Sequence, residues 1–413
     1  MELGAGYVDV ELKVASEFIA SIREKNLKKC KIIVSSHNYE DTPSVEELGD
    51  LVAKIQAAGA DIVKIATTAL DITDAARPYH RNCNGRQRIN VTGSFCKVWK
   101  LSDLCNARLE PGSVSTLGQP TIKDLLDIYN FRSIGPDTKV YGVIGNPVAH
   151  SKSPILYNES FESVNFNGVY LHLLVDNISS FFDAYSSTDF VGFSIAIPHK
   201  EAAVNCCDEV DPIAKSIGAI NLVVRRESDG KLFGYNTDYV GAITAIEDGL
   251  RGSEEVTASA DSPLKGKMFV VIGAGGAGRA LAYDRARKLA EAIGGDAISL
   301  ADLATFHPED GMVLANGTSI GMQPKVDETP IHKSDGRENR FLQPCSQALK
   351  HYTLVFDAVY TPRTTRLLRE AEECGTNTVS GVEMFIGQAY EQYERFTGLP
   401  APKEHFRKIV SKF

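Results

Sequence analysis

Lys200 closes the segment Ile197-Pro198-His199-Lys200, and Asp238 closes Tyr235-Asn236-Thr237-Asp238. A positioned amine can hold a substrate hydroxyl and move its proton, and a carboxylate beside it can orient the amine and balance its charge. Further along stands Gly273-Ala274-Gly275-Gly276-Ala277-Gly278, a loop bare enough to let a dinucleotide pyrophosphate approach the backbone. A nicotinamide held there would carry the electrons, so the three segments together predict a dehydrogenase acting on a small oxygenated substrate. A second group lies near the N-terminus: Glu11, His37 and Lys64 are expected at or just past strand C-terminal ends. Lys64 is flanked by Val63, Ile65 and Ala66, and partial desolvation would favour a neutral, Schiff-base-forming amine. The plainer reading has Lys64 reaching solvent from a strand end and His37 making an ordinary loop hydrogen bond.

The elements that must position these groups fit a chain of 413 residues, long enough for two or three domains. A formal charge of −9 without a sustained Lys/Arg run argues against a nucleic-acid or anionic-membrane partner and leaves room for a small anionic metabolite. Eight cysteines without a Cys-x-x-Cys pair read as reduced thiols, with no metal site. No apolar run approaches the ~20 residues of a membrane span, and neither a signal peptide nor a transit peptide is visible. Tyr7–Leu12, Lys31–Ser35 and Asp61–Thr67 read as strands, and 44–58 as a helix closed by Gly59. Such repeated βα units predict a parallel sheet.

From Gly135 the pattern restarts. Residues 140–145 form a strand, and Asn146-Pro147-Val148-Ala149-His150-Ser151-Lys152-Ser153-Pro154 leads into a helix whose exposed amides and hydroxyls suit a carboxylate. Ser153 can equally be read as an N-cap alone. Phe190–Ile197 is a strand followed, past Lys200, by a helix, while Asn221 and Asp238 sit at two further element ends. Lys267–Ile272 is a strand running into the glycine loop. Ala282, Ala286, Leu289, Ala290 and Ile293 stripe the next helix, and Asp302 after Ala297–Leu300 could be a ribose-binding carboxylate implying NAD.

Val10-Glu11-Leu12-Lys13, Ser35-Ser36-His37-Asn38-Tyr39 and Val63-Lys64-Ile65-Ala66-Thr67 resemble the type I 3-dehydroquinate dehydratases. The chain from about residue 120 resembles shikimate dehydrogenase, and the whole is similar to the plant bifunctional family that joins the two. The resemblance implies an α/β chain: a partial type I dehydroquinase (β/α) barrel over 1–134, and a two-lobed shikimate dehydrogenase after it. The latter comprises a substrate domain over 135–250, a Rossmann-like NADP domain over 264–378 and a helical return over 379–413. It implies reduction of 3-dehydroshikimate to shikimate with NADP as cofactor, in the chloroplast. Lys200 and Asp238 would be the catalytic pair. Ser151 and Ser153 would hold the substrate carboxylate, Asn221 and Gln388 its ring hydroxyls, and Tyr360 would lie near it. Gly273, Ala274, Gly275, Gly276, Ala277 and Gly278 would bind the cofactor. In the dehydratase half, Lys64 would form an imine with dehydroquinate, His37 would shuttle the proton, Glu11 would orient His37, and Ser115 and Gln119 would touch the substrate.

The chain departs from the family pattern in places. Residues 1–134 are fewer than the roughly 200–250 of an eight-stranded barrel. No counterpart of a substrate-binding arginine appears between Arg81 and Leu109, and Ala196 stands where the family has threonine. About one strand is missing after Tyr283, so Asp302 becomes a structural cap, and Arg279, Arg285 or Arg287 would have to read the NADP phosphate. An extra polar loop falls within His332–Gln347. Quinate dehydrogenation by the same pair, or shikimate binding without turnover, are the alternatives.

Overall fold

The computed structural model describes residues 6–24, 30–68, 70, 73–74, 89–92, 122–135, 137–252, 262–273, 309–330 and 348–412. The chain divides into two compact units, Met1–Val191 and Gly192–Phe413. The first opens with β1 (Tyr7–Glu11), α1 (Leu12–Glu24), β2 (Lys31–Asn38), α2 (Val45–Ala57), β3 (Ile62–Thr67) and β4 (Ile89–Thr92). The four strands are parallel, in the order β1-β2-β3-β4. A capping box starts α2, with Ser44 and Glu47 each bonding the other's backbone N–H, and Gly59 at φ 93° ends its turn where a side chain would be strained.

Successive strand residues point to opposite faces of a sheet. Val10, Val34, Val63 and Ile65 therefore share one face, and they pack with Ala15, Ile19 and Ile22 of α1 and Leu48 and Ile55 of α2. The alternate positions carry Asp9, Glu11, Ser35, His37 and Lys64. Lys64 is not at a strand end as expected: it is the third residue of β3, because Ile65–Thr67 continue the pairing against Ser36–Asn38. Glu11 is the last residue of β1 and His37 the last but one of β2, at strand C-terminal ends as expected, though β2 itself runs three residues beyond the expected Ser35.

Later in this unit come α3 (Ile122–Asp127), β5 (Lys139–Gly145), α4 (Ser153–Ser163), β6 (Gly168–Leu174) and α5 (Ile178–Ala184). β5 and β6 pair in parallel, and Tyr157 of α4 stacks on Tyr170 of β6 at 4.4 Å between ring centroids.

Strand β7 (Phe190–Ile195) continues into the second unit. There it pairs antiparallel with β9 (Leu222–Arg225), β9 pairs antiparallel with β10 (Leu232–Tyr235), and β10 runs parallel to β8 (Glu209–Val210). The expected strand to Ile197 stops at Ile195, whose N–H goes to the Asn221 carbonyl, and Pro198 has no N–H with which to extend the ladder. The helix expected after Lys200 is a short 3₁₀ segment, Ala202–Cys206, because Cys207 is already extended and leads directly into β8. Helix α6 (Pro212–Ile217) follows, capped by Asp211.

A second sheet in this unit is all parallel in chain order: β11 (Phe269–Ile272), β12 (Met312–Asn316), β13 (Tyr352–Asp357) and β14 (Asn377–Ser380). Helix α7 (Asp238–Arg251) packs Ala242, Ala245 and Ile246 with Val313, Ala315, Leu354 and Phe356. Helix α8 (Arg366–Glu373) buries Leu367 and Leu368 with Leu314 and Val355, whose side chains alternate with those in the α7 cluster. Helices α9 (Gly381–Thr397) and α10 (Lys403–Val410) end the chain. Residues 274–308 and 331–347 lie outside the described residues. They hold the expected helix stripe, the 297–300 strand, Asp302, Arg279, Arg285, Arg287 and all of the extra loop.

Candidate active site

Asp238 begins α7, where the positive end of the helix dipole favours a carboxylate. Asn236 fixes that start: its Oδ1 accepts from the Asp238 N–H at 3.0 Å, and its Nδ2 donates to the Ala219 carbonyl at 2.9 Å. Lys200 is held by its backbone, the Ile220 N–H donating to its carbonyl at 2.9 Å. Its Nζ donates to Asp238 Oδ2 at 2.5 Å, while Asn221 Nδ2 donates to Asp238 Oδ1 at 2.8 Å. Both oxygens of a carboxylate that is 5% exposed are thus engaged, and the ammonium is aligned by a group largely withdrawn from water.

Helix α9 brings Gln388 to the same place. Gly241 of α7 and Gly387 of α9 make this possible, since a Cβ on Gly241 would lie 2.6 Å from the Met384 carbonyl oxygen and 2.7 Å from the Gln388 nitrogen. With no side chain between the backbones, Gln388 Oε1 lies 3.4 Å from Asn221 Nδ2. Tyr360 stacks on Phe385, one turn before Gln388, with centroids 4.9 Å apart. The structure therefore gathers Lys200, Asp238, Asn221 and Gln388. Three neighbours that the motifs did not single out complete the network. Thr237 donates its N–H to Asn221 Oδ1 at 2.7 Å, Gln392 donates to Gln388 Oε1 at 2.6 Å, and Ser194 donates to Gln392 Oε1 at 2.5 Å. The i, i+4 spacing of Gln388 and Gln392 was the one available sequence signal.

In the all-parallel sheet of the second unit, β11 runs out on Gly273, at φ 99°, where a Cβ would lie 2.6 Å from Thr318 Cγ2. The strand thus hands over to the glycine loop through a backbone position that packing against Gly317 and Thr318 leaves without room for a side chain. Ala274, Gly275, Gly276, Ala277 and Gly278 lie outside the described residues. Asp357, at the end of β13, is fully buried and accepts from Asn316 Nδ2 at 3.0 Å, the Val359 N–H at 3.0 Å and Thr365 Oγ1 at 2.6 Å. Burial pushes its carboxyl up to about 6 against these three bonds.

In the first unit Ser153 is the first residue of α4 and 6% exposed, while the N-cap position falls to Lys152, whose side chain does not cap the helix. Ser153 is therefore not acting as the cap. Its N–H donates to Ser151 Oγ at 3.3 Å. The Ser151 carbonyl faces His172 Nε2 at 3.0 Å, and the Tyr129 hydroxyl lies 2.9 Å from His172 Nδ1. Burial holds the His172 imidazole below its ordinary pKa, the bond to Ser151 opposes this, and His150 and Lys152 add to the lowering.

On the polar face of the first sheet, His37 Nδ1 bonds Glu11 Oε1. Lys64 is not isolated among apolar groups as its sequence neighbours suggested: its Nζ donates to Asp9 Oδ2 at 2.8 Å. Register explains this, since Glu11, Ser35 and Lys64 are level across three strands and Asp9 is two residues back on the same face. Ser115 and Gln119 lie outside the described residues. Among the described residues no group of acidic, His and Cys side chains could hold a metal ion, and no helix is long and apolar enough to cross a membrane.

Comparison with known proteins matches three family profiles. They are the type I 3-dehydroquinase over residues 1–136, the shikimate dehydrogenase substrate-binding domain over 143–223 and the shikimate 5'-dehydrogenase C-terminal domain over 381–410. The chain is 61% identical over its whole length to a chloroplastic bifunctional 3-dehydroquinate dehydratase/shikimate dehydrogenase of Arabidopsis thaliana, covering 71% of that protein. An NADP(+) shikimate dehydrogenase of Bacillus cereus is 33% identical over 66% of this chain and 97% of its own. The crystal structure of a Thermus thermophilus shikimate 5-dehydrogenase, in complex with NADP(H) and shikimate, aligns at TM-score 0.52 with 28% identity, over 67% of this chain and 99% of that one. With every part of its length matched by that plant protein and its last two thirds matched again by shikimate dehydrogenases alone, the chain belongs to the family of bifunctional 3-dehydroquinate dehydratase/shikimate dehydrogenases.

Proposed function

We propose that the chain reduces 3-dehydroshikimate to shikimate with NADPH and carries a type I 3-dehydroquinate dehydratase module at its N-terminus. The observation that carries the first reading is the amine of Lys200 held 2.5 Å from a buried carboxylate, with two primary amides beside it. When bound, the nicotinamide would supply or take the hydride at the ring carbon. Lys200 gives the proton to the ketone oxygen as the ketone becomes an alcohol, and takes it back in the reverse direction. Asp238 keeps the ammonium aligned and balances its charge. Asn221 and Gln388 hold ring hydroxyls, Tyr360 borders the substrate, and Ser151 and Ser153 hold its carboxylate through hydroxyls and N–H groups at the start of α4. Gly273 with residues 274–278 holds the dinucleotide. In the dehydratase module Lys64 forms the imine, His37 moves the proton and Glu11 orients His37, with Ser115 and Gln119 at the substrate. The modules run over 1–134, 135–250, 264–378 and 379–413. Likeness to the chloroplastic relative supports a plastid location, and the substrates are small anions.

The test is shikimate-dependent reduction of NADP by the full-length chain, with NAD and quinate in parallel and Lys200→Met as the control. The expected result is turnover with NADP and shikimate that Lys200→Met abolishes in folded protein. Folded protein that binds shikimate and turns over with neither cofactor would overturn the reading, and faster turnover of quinate would reassign the substrate.

A further inference from the structure

Gln392 follows Gln388 by one helical turn, so both side chains leave α9 on the same face. Its side chain is 1% exposed and ties together three other elements. Nε2 lies 2.6 Å from Gln388 Oε1, 3.3 Å from the Asn221 carbonyl and 3.3 Å from Thr237 Oγ1, and Oε1 accepts from Ser194 Oγ at 2.5 Å. The Asn221 carbonyl belongs to the backbone and can only accept, which decides the orientation of the Gln392 amide: its nitrogen faces Asn221 and Gln388, its oxygen Ser194. Reversing it would set an amide oxygen against the fixed Asn221 carbonyl oxygen in a dry site. Gln388 must then turn its own Oε1 toward Gln392, which leaves its Nε2 to donate to the Phe385 carbonyl at 3.1 Å and to a ligand.

We infer that Gln392 is a positioning residue that decides which end of the Gln388 amide meets the substrate, so that Gln388 presents an N–H donor to a ring hydroxyl oxygen. This rests on the reading of Gln388 as a substrate ligand. Gln392 itself acts only through Gln388 and Asn221. Ser194, on β7, is the outer anchor of the same chain of bonds.

The test measures KM for shikimate and kcat, at saturating NADP, for Gln392→Leu, Ser194→Ala, Gln388→Ala and the double variant Gln388→Ala/Gln392→Leu, with thermal unfolding of each. Gln392→Leu should raise KM about tenfold, the equivalent of about 1.4 kcal/mol, and change kcat by less than about threefold. Ser194→Ala, which disturbs less of the fold, should shift KM in the same direction by a smaller factor. In the Gln388→Ala background, Gln392→Leu should add nothing further to KM. A lower melting temperature with unchanged KM in both Gln392→Leu and Ser194→Ala would make the role purely structural and overturn the inference, as would additive effects in the double variant. If Gln388→Ala alone leaves KM unchanged, the ligand reading of Gln388 fails first, and the inference falls with it.

Discussion

Replacing Gly241 by alanine tests whether the crossing of α7 and α9 builds the site. The new Cβ would sit 2.6 Å from the Met384 carbonyl oxygen, 2.7 Å from the Gln388 nitrogen and 3.2 Å from Gln388 Cβ. The two nearest atoms are backbone and cannot rotate away, and ordinary contact begins near 3.4 Å, so the helices must separate by roughly 0.8 Å. Asn221 Nδ2 and Gln388 Oε1 are already 3.4 Å apart, and the bonds from Gln392 to Asn221 and Thr237 are 3.3 Å, so such a shift breaks all three. Overpacking of this kind costs about 1–3 kcal/mol of stability. A displacement near 1 Å at a positioned group can cost on the order of 100-fold in catalysis. KM for shikimate should therefore rise by about 10- to 100-fold in steady-state assays, with a lower melting temperature by calorimetry. Gly387→Ala supplies the internal scale: its nearest contacts would be with Gly241, Cα at 3.0 Å and the carbonyl oxygen at 3.5 Å, so both effects should be smaller. Gly241→Ala protein with KM within twofold of the parent and an unchanged melting temperature would refute the claim that this crossing sets the site.

Two substitutions should change the pH dependence of stability in opposite directions. Asp357 sits near 6 in the fold against its ordinary 3.8, so its contribution is fully present below about pH 3.8 and lost as pH rises through 6. Asp357→Asn should remove that falling slope, worth on the order of 2–3 kcal/mol, in urea unfolding curves between pH 4 and 7, and an unchanged slope would contradict the burial argument. His172 is depressed below its ordinary 6.5, so stability is lost as pH falls through 6.5 toward the folded value; His172→Gln should flatten that acid-side loss in the same measurements. For the dehydratase module, borohydride with dehydroquinate should leave one reduced adduct on Lys64, detected by peptide mass, and none in Lys64→Arg. An adduct confined to another lysine would reassign the imine.

Much of the architecture was legible in local pattern. The start of α2 after Ser44, the Gly59 that follows it and the positions of β1, β2 and β3 are short-range features, and each was visible in the residue types themselves. The Lys200–Asp238 pair was legible for a related reason: both residues sit in compact motifs whose residue types are recognisable one segment at a time. Element ends were less so. β7 stops where its partner stops, and the segment after Lys200 is cut short by the extended backbone of Cys207.

Partner choice was not legible at all. Asp9 meets Lys64 across 55 residues because parallel register places them on one face, and Ser194 meets Gln392 across 198 residues because two glycines let α9 close on α7. By itself the sequence determined which residues could do chemistry and which elements would carry them, since periodicity, caps and turn residues act within a few positions along the chain. Only the tertiary structure decided which polar groups share a hydrogen bond, because strand register and helix crossing are set by the packing of cores drawn from distant segments, and a shift of one residue or about 1 Å would pair different atoms.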